Sequence, residues 1–189
     1  MILATDNNRT TTLVDSQTVL GNGLLVLAGS LLIALLAQLA VPIGPVPVSG
    51  QTLGVLLVAA VLGPRRGVLA VTTYLAEGAL GAPVFAGGRA GLIVLAGPTG
   101  GYLAGFIGAA LVVGWLCRAG MDRRPWTVFV TMAAGSAVIY LFGIMWLSRF
   151  TGWSAVLPVG VYPFLLGDAM KAAIATLLLP VAWSMLRRR

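Results

Sequence analysis

Residues 19–41 read VLGNGLLVLAGSLLIALLAQLAV, a run without a charged side chain. A helix that crosses the hydrocarbon core of a bilayer needs about 20 mostly apolar residues. Lipid offers no water to the backbone, so such a run must satisfy its amides internally, as a helix does. The run stops at Val41-Pro42-Ile43-Gly44-Pro45-Val46-Pro47, where three closely spaced prolines cannot continue a helix.

Outward from that stretch the chain keeps the same character. Of 189 residues, 59% are hydrophobic and 9% are charged, whereas a soluble domain carries about 25% charged residues. A soluble core of this size could not hide so much apolar surface, but lipid solvates it directly. The expected fold is an all-α integral membrane protein: a bundle of six transmembrane helices, with irregular outer loops capping a ligand pocket. The second span is expected from Gln51 to the break at Gly63-Pro64-Arg65-Arg66-Gly67, and the third from Val68 to Leu80. The next stretch, Gly81 to Gly101, is rich in glycine and too irregular to face lipid, so protein or a cavity must surround it. The remaining spans are expected over Tyr102–Cys117, Trp126–Leu147 and Tyr162–Leu186, with a kink at Pro180. Residues 1–18 form a polar N-terminal segment, and 19–189 are expected to form the helical domain. The first apolar run is too long for the core of a cleaved signal.

The formal charge is +7. With both termini inside, the inner connections carry Arg65, Arg66, Arg118, Arg123, Arg124, Arg187, Arg188 and Arg189, and the outer ones carry Arg89 and Arg149. Eight arginines against two is a positive-inside bias, so both termini are expected to be cytoplasmic. The proline-rich loops 41–50 and 81–101 then lie on the outer face. No basic face carries interleaved aromatics, so nucleic acid is not an expected partner; the lipid bilayer is. One cysteine, Cys117, and no histidine exclude an intrachain disulfide, a Cys/His metal site and histidine-based catalysis. No cofactor is expected. Gly97-Pro98-Thr99-Gly100-Gly101 lacks the Lys-Ser/Thr that would make it a phosphate-binding loop. It reads as a closely packed helix start.

Charges inside an apolar body carry the most information, because each costs several kcal/mol unless paired or hydrated. Four stand out: Glu77, Arg89, Asp168 and Lys171. Asp168 and Lys171, three apart, share one helix face. They read either as a self-neutralising pair at a helix start or as the polar end-wall of a pocket. Arg89, in Phe85-Ala86-Gly87-Gly88-Arg89, reads as a snorkelling interfacial side chain or as an anion anchor whose fork fits a carboxylate. Glu77 is a structural group or a buried partner for Arg89. Trp115, Trp126, Trp146, Trp153, Tyr102 and Tyr162 fall near span ends, as an interfacial belt does. Phe85, Trp153 or Tyr162 could instead stack on a ligand. Ser30, Ala34 and Ala37 form a small-residue face on the first span, suited to close helix approach within the bundle or to another subunit.

Five blocks in order resemble the BioY-type proteins. They are Pro45-Val46-Pro47-Val48-Ser49-Gly50-Gln51-Thr52-Leu53-Gly54-Val55, Leu62-Gly63-Pro64-Arg65-Arg66-Gly67, Gly81-Ala82-Pro83-Val84-Phe85-Ala86-Gly87-Gly88, Gly97-Pro98-Thr99-Gly100-Gly101-Tyr102 and Pro163-Phe164-Leu165-Leu166-Gly167-Asp168-Ala169-Met170-Lys171. Together they cover about residues 40–175. The family comprises biotin-binding S components of energy-coupling-factor (ECF) transporters. The resemblance implies a six-helix substrate-binding domain in the bacterial cytoplasmic membrane, with biotin bound near the outer face. It also implies a transmembrane coupling (T) subunit and two cytoplasmic ATPase subunits as partners. Asp168, Lys171 and Arg89 match the family's ligand contacts. The family's first helix docks through an alanine-xxx-alanine pattern; here Ser30, Ala34 and Ala37 take that place. An asparagine contact of some members has no counterpart near Arg89.

Biotin offers a ureido ring, an apolar thiophane ring and chain, and a carboxylate. Asp168 is expected to accept from the ureido group, and Arg89, with or without Lys171, to pair the carboxylate. Val84 and Phe85 are expected to enclose the middle, with Tyr162 and Glu77 as further candidates. The competing readings are an S component for another small carboxylate-bearing vitamin, and an intramembrane enzyme built from Glu77, Asp168 and Lys171.

Overall fold

A computed structural model describes residues 18–187, with side chains to Val181. Residues 1–17 and 188–189, and the Arg187 side chain, lie outside what is described. Among the described residues the chain is mostly helical, with a two-stranded ribbon and short irregular connections. The helices are α1 (Val19–Ala37), α2 (Gln51–Ala79), α3 (Leu92–Ala96), α4 (Gly100–Arg118), α5 (Pro125–Thr151), α6 (Val156–Gly160) and α7 (Tyr162–Arg187). Five segments are long and apolar enough to cross a membrane: Val19–Ala37, Gln51–Ala79, Gly100–Arg118, Pro125–Thr151 and Val156–Val181.

Element α2 is a helical hairpin. Gly63 leaves helical geometry with φ 77°, and Pro64 follows it. A positive φ is strained for any residue with a side chain, and proline supplies no amide to the turn before it. The two arms lie side by side: a Cβ built on Gly67 would stand 2.9 Å from the Ala59 Cα. Gln51 at the start of the first arm reaches Tyr74 on the second. The first arm, at 1.5 Å per residue, is only about 18 Å long, and Gln51 meets the second arm at Tyr74, short of its end at Ala79.

Elements α2 and α4 form the centre, with α1 packed on one side of α2 and α5 on the far side of α4. The buried core includes Val55, Ala59, Ala70, Val71, Ala109, Ala110, Val113 and Val128. Leu24, Leu27, Leu31, Leu35, Leu141, Met145, Leu166, Met170 and Leu177 are exposed. A soluble monomer rarely exposes apolar surface so continuously, and here it forms the lipid-facing belt.

Several expectations need correction. Ser30, Ala34 and Ala37 are buried within the chain, so the face they form packs inside the bundle and α1 turns leucines outward. Element α1 ends at Ala37, four residues short of Val41, because Ala40–Val41 (β1) pairs antiparallel with Val48–Ser49 (β2). Tyr102 is not a belt residue: it is buried and its hydroxyl donates to the Gly160 carbonyl at 2.8 Å.

Candidate ligand-binding site

Loops and helix ends at one end of the bundle line a cavity. The β1–β2 ribbon covers it from one side with Val46, Pro47 and Ser49. The segment after α2 covers it from another. There Gly87, Gly88 and Gly91 adopt positive φ, and Phe85 and Arg89 pair backbone to backbone across a tight 3-10 turn. Most of the wall is apolar or aromatic: Phe85, Val94, Leu103, Phe106, Ile139 and Phe164.

Asp168 and Lys171 form a charged pair in the lining. Asp168 lies six residues into α7, about 9 Å along the helix, and Lys171 is one turn deeper. Both side chains are largely shielded, with exposures of 14% and 15%. Lys171 Nζ donates to Asp168 Oδ1 at 3.1 Å and to Thr52 Oγ1 at 2.7 Å. Tyr140, on α5, donates to Asp168 Oδ2 at 2.6 Å. The carboxylate is therefore held at both oxygens and the ammonium at two of its three donor positions. The charges offset one another in a setting where an unpaired ion would be costly.

Beside them, Gln51 is buried between Ser49, whose hydroxyl donates to its side-chain oxygen at 3.0 Å, and Tyr74, which accepts from its amide nitrogen. Tyr74 in turn donates to the Val84 carbonyl at 3.1 Å and meets Phe85 edge-on with ring centroids 5.6 Å apart. One network thus ties the ribbon, the start of α2 and the second covering loop. Gln38 at the end of α1 adds weaker contacts, 3.5 Å from the Pro83 and Val84 carbonyls.

Of the residues singled out from the sequence, the cavity brings together Asp168, Lys171, Arg89 and Phe85. Arg89 is exposed at the mouth, where its Nε donates to the Ala86 carbonyl at 3.1 Å and fixes the stem of the side chain. Glu77 does not line the cavity; it accepts from the Ser30 hydroxyl at 2.5 Å and joins α2 to α1. Val84 contributes its backbone carbonyl to Tyr74 and lies behind Phe85. Tyr162 is 60% exposed and does not line the cavity.

The family model for the BioY family matches residues 8–188. The chain belongs to the BioY family. It is 43% identical over 142 residues to the "Probable biotin transporter BioY" of Pyrococcus horikoshii, covering 75% of this chain and 83% of that protein. It is 40% identical over 148 residues to the biotin transporter BioY of Thermotoga maritima, covering 78% of this chain and 86% of that one. Among solved structures, the 2.1 Å crystal structure of the S-component for biotin from an ECF-type ABC transporter matches with a TM-score of 0.77. That match spans 92% of this chain and 96% of the other at 24% identity, and it shows a shared fold.

In this BioY-family chain the sequence alone did not point to Tyr140, Thr52 or Gln51. Each is an uncharged residue in or beside an apolar run. The signal they carry is weaker but physical. A hydroxyl or amide within a span needs a partner, because lipid provides none.

Proposed function

We propose that this chain captures biotin at the outer face of the cytoplasmic membrane, as the substrate-specific subunit of an ECF-type transporter. The observation that carries the reading is the layout of one cavity. It is lined by a hydrogen-bonded acid–ammonium pair, by apolar and aromatic side chains and by an exposed arginine. Biotin offers groups to match each. Its ureido group presents N–H donors and a carbonyl, its thiophane ring and chain are apolar, and its far end is a carboxylate. Asp168 accepts from a ureido N–H group. Lys171, held beside it by Thr52, has one N–H left for the ureido carbonyl. Arg89 pairs the carboxylate. The names of the relatives, biotin transporters rather than enzymes, support the same reading.

In this account each arm of α2 crosses the membrane, giving six passes with both termini cytoplasmic. The hairpin geometry at Gly63 and the arginine bias support this topology. Uptake then needs a transmembrane coupling subunit and two cytoplasmic ATPase subunits, since the chain carries no phosphate-binding loop of its own.

The test is selective. In detergent-purified protein, Arg89→Ala lowers biotin affinity about tenfold, the size of a partly exposed charge-assisted contact. Biotin amide, which lacks the carboxylate, binds wild type and variant alike. Equal losses for both ligands would remove Arg89 from the carboxylate end.

A further inference from the structure

The ureido group of biotin makes a demand that Asp168 cannot meet alone. In a five-membered cyclic urea the two N–H bonds point to opposite sides of the ring, so a carboxylate that accepts from one is out of reach of the other. An N–H enclosed without an acceptor costs the ligand the full desolvation of that donor. Among the described residues, the cavity lining holds two side chains with a carbonyl-type oxygen: the Asp168 carboxylate and the Gln51 amide.

The direction of the Gln51 amide follows from its partners. Tyr74 spends its one hydroxyl hydrogen on the Val84 carbonyl, which can only accept. Toward Gln51 it must therefore accept, so the NH₂ of the amide faces Tyr74. At the other end the Gln51 backbone N–H donates to the Ser49 oxygen at 3.3 Å, and the Ser49 hydroxyl donates to Gln51 Oε1 at 3.0 Å. The amide is thus held one way round, by an acceptor at its nitrogen and a donor at its oxygen. An amide oxygen has two lone pairs, and Oε1 keeps one. Gln51 is only 6% exposed, so bulk water does not serve it.

The two acceptors are held from different parts of the fold. Tyr74 ties Gln51 to the second arm of α2, and Tyr140 ties Asp168 to α5. Thr52, the next residue after Gln51, reaches Lys171 on α7. Successive side chains on a helix diverge by about 100°, so the start of α2 turns Thr52 to the charged pair and Gln51 to another wall.

We propose that Gln51 is a ligand-binding residue whose Oε1 accepts the second ureido N–H, the one turned away from Asp168. The proposal rests on the biotin reading above and adds to it a residue that selects a urea over rings with a single N–H.

Two cyclic carbamate analogues of biotin test it, each with a different ureido N–H replaced by oxygen. The replacement removes one donor and adds no bulk. Affinities for biotin and both carbamates are measured on purified full-length protein. In the wild type each carbamate is expected to bind about tenfold or more below biotin. Either one binding as biotin does would overturn the proposal, and this comparison needs no variant. In Gln51→Met, biotin is expected to lose about tenfold. The carbamate that lacks the Gln51-facing donor then matches biotin within about twofold, while the other keeps its penalty. Equal losses for all three ligands, with the wild-type ratios intact, would make Gln51 a packing residue or a donor to the ureido carbonyl and overturn the proposal. In Asp168→Asn the other carbamate is expected to be the one relieved; relief of the same carbamate in both variants would also overturn it. A wild type that binds no biotin would overturn the functional reading itself.

Discussion

Asp168→Asn lowers biotin affinity by about a hundredfold, in the range expected when a buried charged pair loses one partner. The substitution keeps shape and removes charge. Its amide oxygen can face Lys171, and its NH₂ then turns toward the Tyr140 oxygen. A ureido N–H loses its charged acceptor, and the Lys171 ammonium keeps Thr52 at 2.7 Å without a counter-ion. The unbound protein is destabilised as well, because the ammonium stays 15% exposed in an apolar setting. A second change separates the two effects. Asp168→Asn with Lys171→Met removes the stranded charge, so thermal stability in detergent recovers while biotin binding stays lost. Calorimetric titration and a melting curve on the same samples read both. Full affinity in Asp168→Asn would mean that the ligand is held elsewhere.

Gly101→Leu prevents the bundle from closing. Elements α4 and α5 pack through a small-residue face, where a Cβ on Gly101 would lie 2.5 Å from the Phe142 carbonyl oxygen and against the Trp146 side-chain root. Four residues on, a Cβ at Gly105 would stand 3.0 Å from the Ile139 Cα. In lipid such close backbone approach is a main source of helix association. A backbone atom cannot rotate away, so the helices must separate. The expected cost is about 3 kcal/mol, at the upper end for overpacking, which corresponds to a fall of roughly 10 °C in melting temperature for a chain of this size. The effect reaches the cavity, because Trp146 holds the Gly97 carbonyl at 2.9 Å and Tyr140 sits on the same helix. Gly23→Leu, where a Cβ meets nothing within 4 Å, is the contrasting control and leaves the melting curve unchanged.

Legibility in the sequence followed physical cost. A proline after glycine in an apolar run marks a turn, and the hairpin of α2 bends at that pair. A charge inside an apolar run is expensive, so Asp168, Lys171 and Arg89 stood out and the fold gathers them around one cavity. Glu77 stood out for the same reason, but its partner did not. Ser30 lies 47 residues away, and only the packing of α1 on α2 brings the two together. The spacing of Ser30, Ala34 and Ala37 showed a close-packing face without showing what it packs against. Tyr140 and Thr52 were hidden because an uncharged hydroxyl barely alters an apolar pattern. The β1–β2 ribbon, two residues per strand, has no period to read; tertiary hydrogen bonds define it.

The central claim is that the cavity beneath the outer loops binds biotin with its ureido ring at the Asp168–Lys171 pair. A structure of the purified protein with biotin tests it most directly. The account predicts one biotin in this cavity, its ureido ring within hydrogen-bond distance of Asp168 and Lys171 and its carboxylate toward Arg89. Biotin bound outside the cavity, or none at saturating concentration in a folded protein, would contradict it.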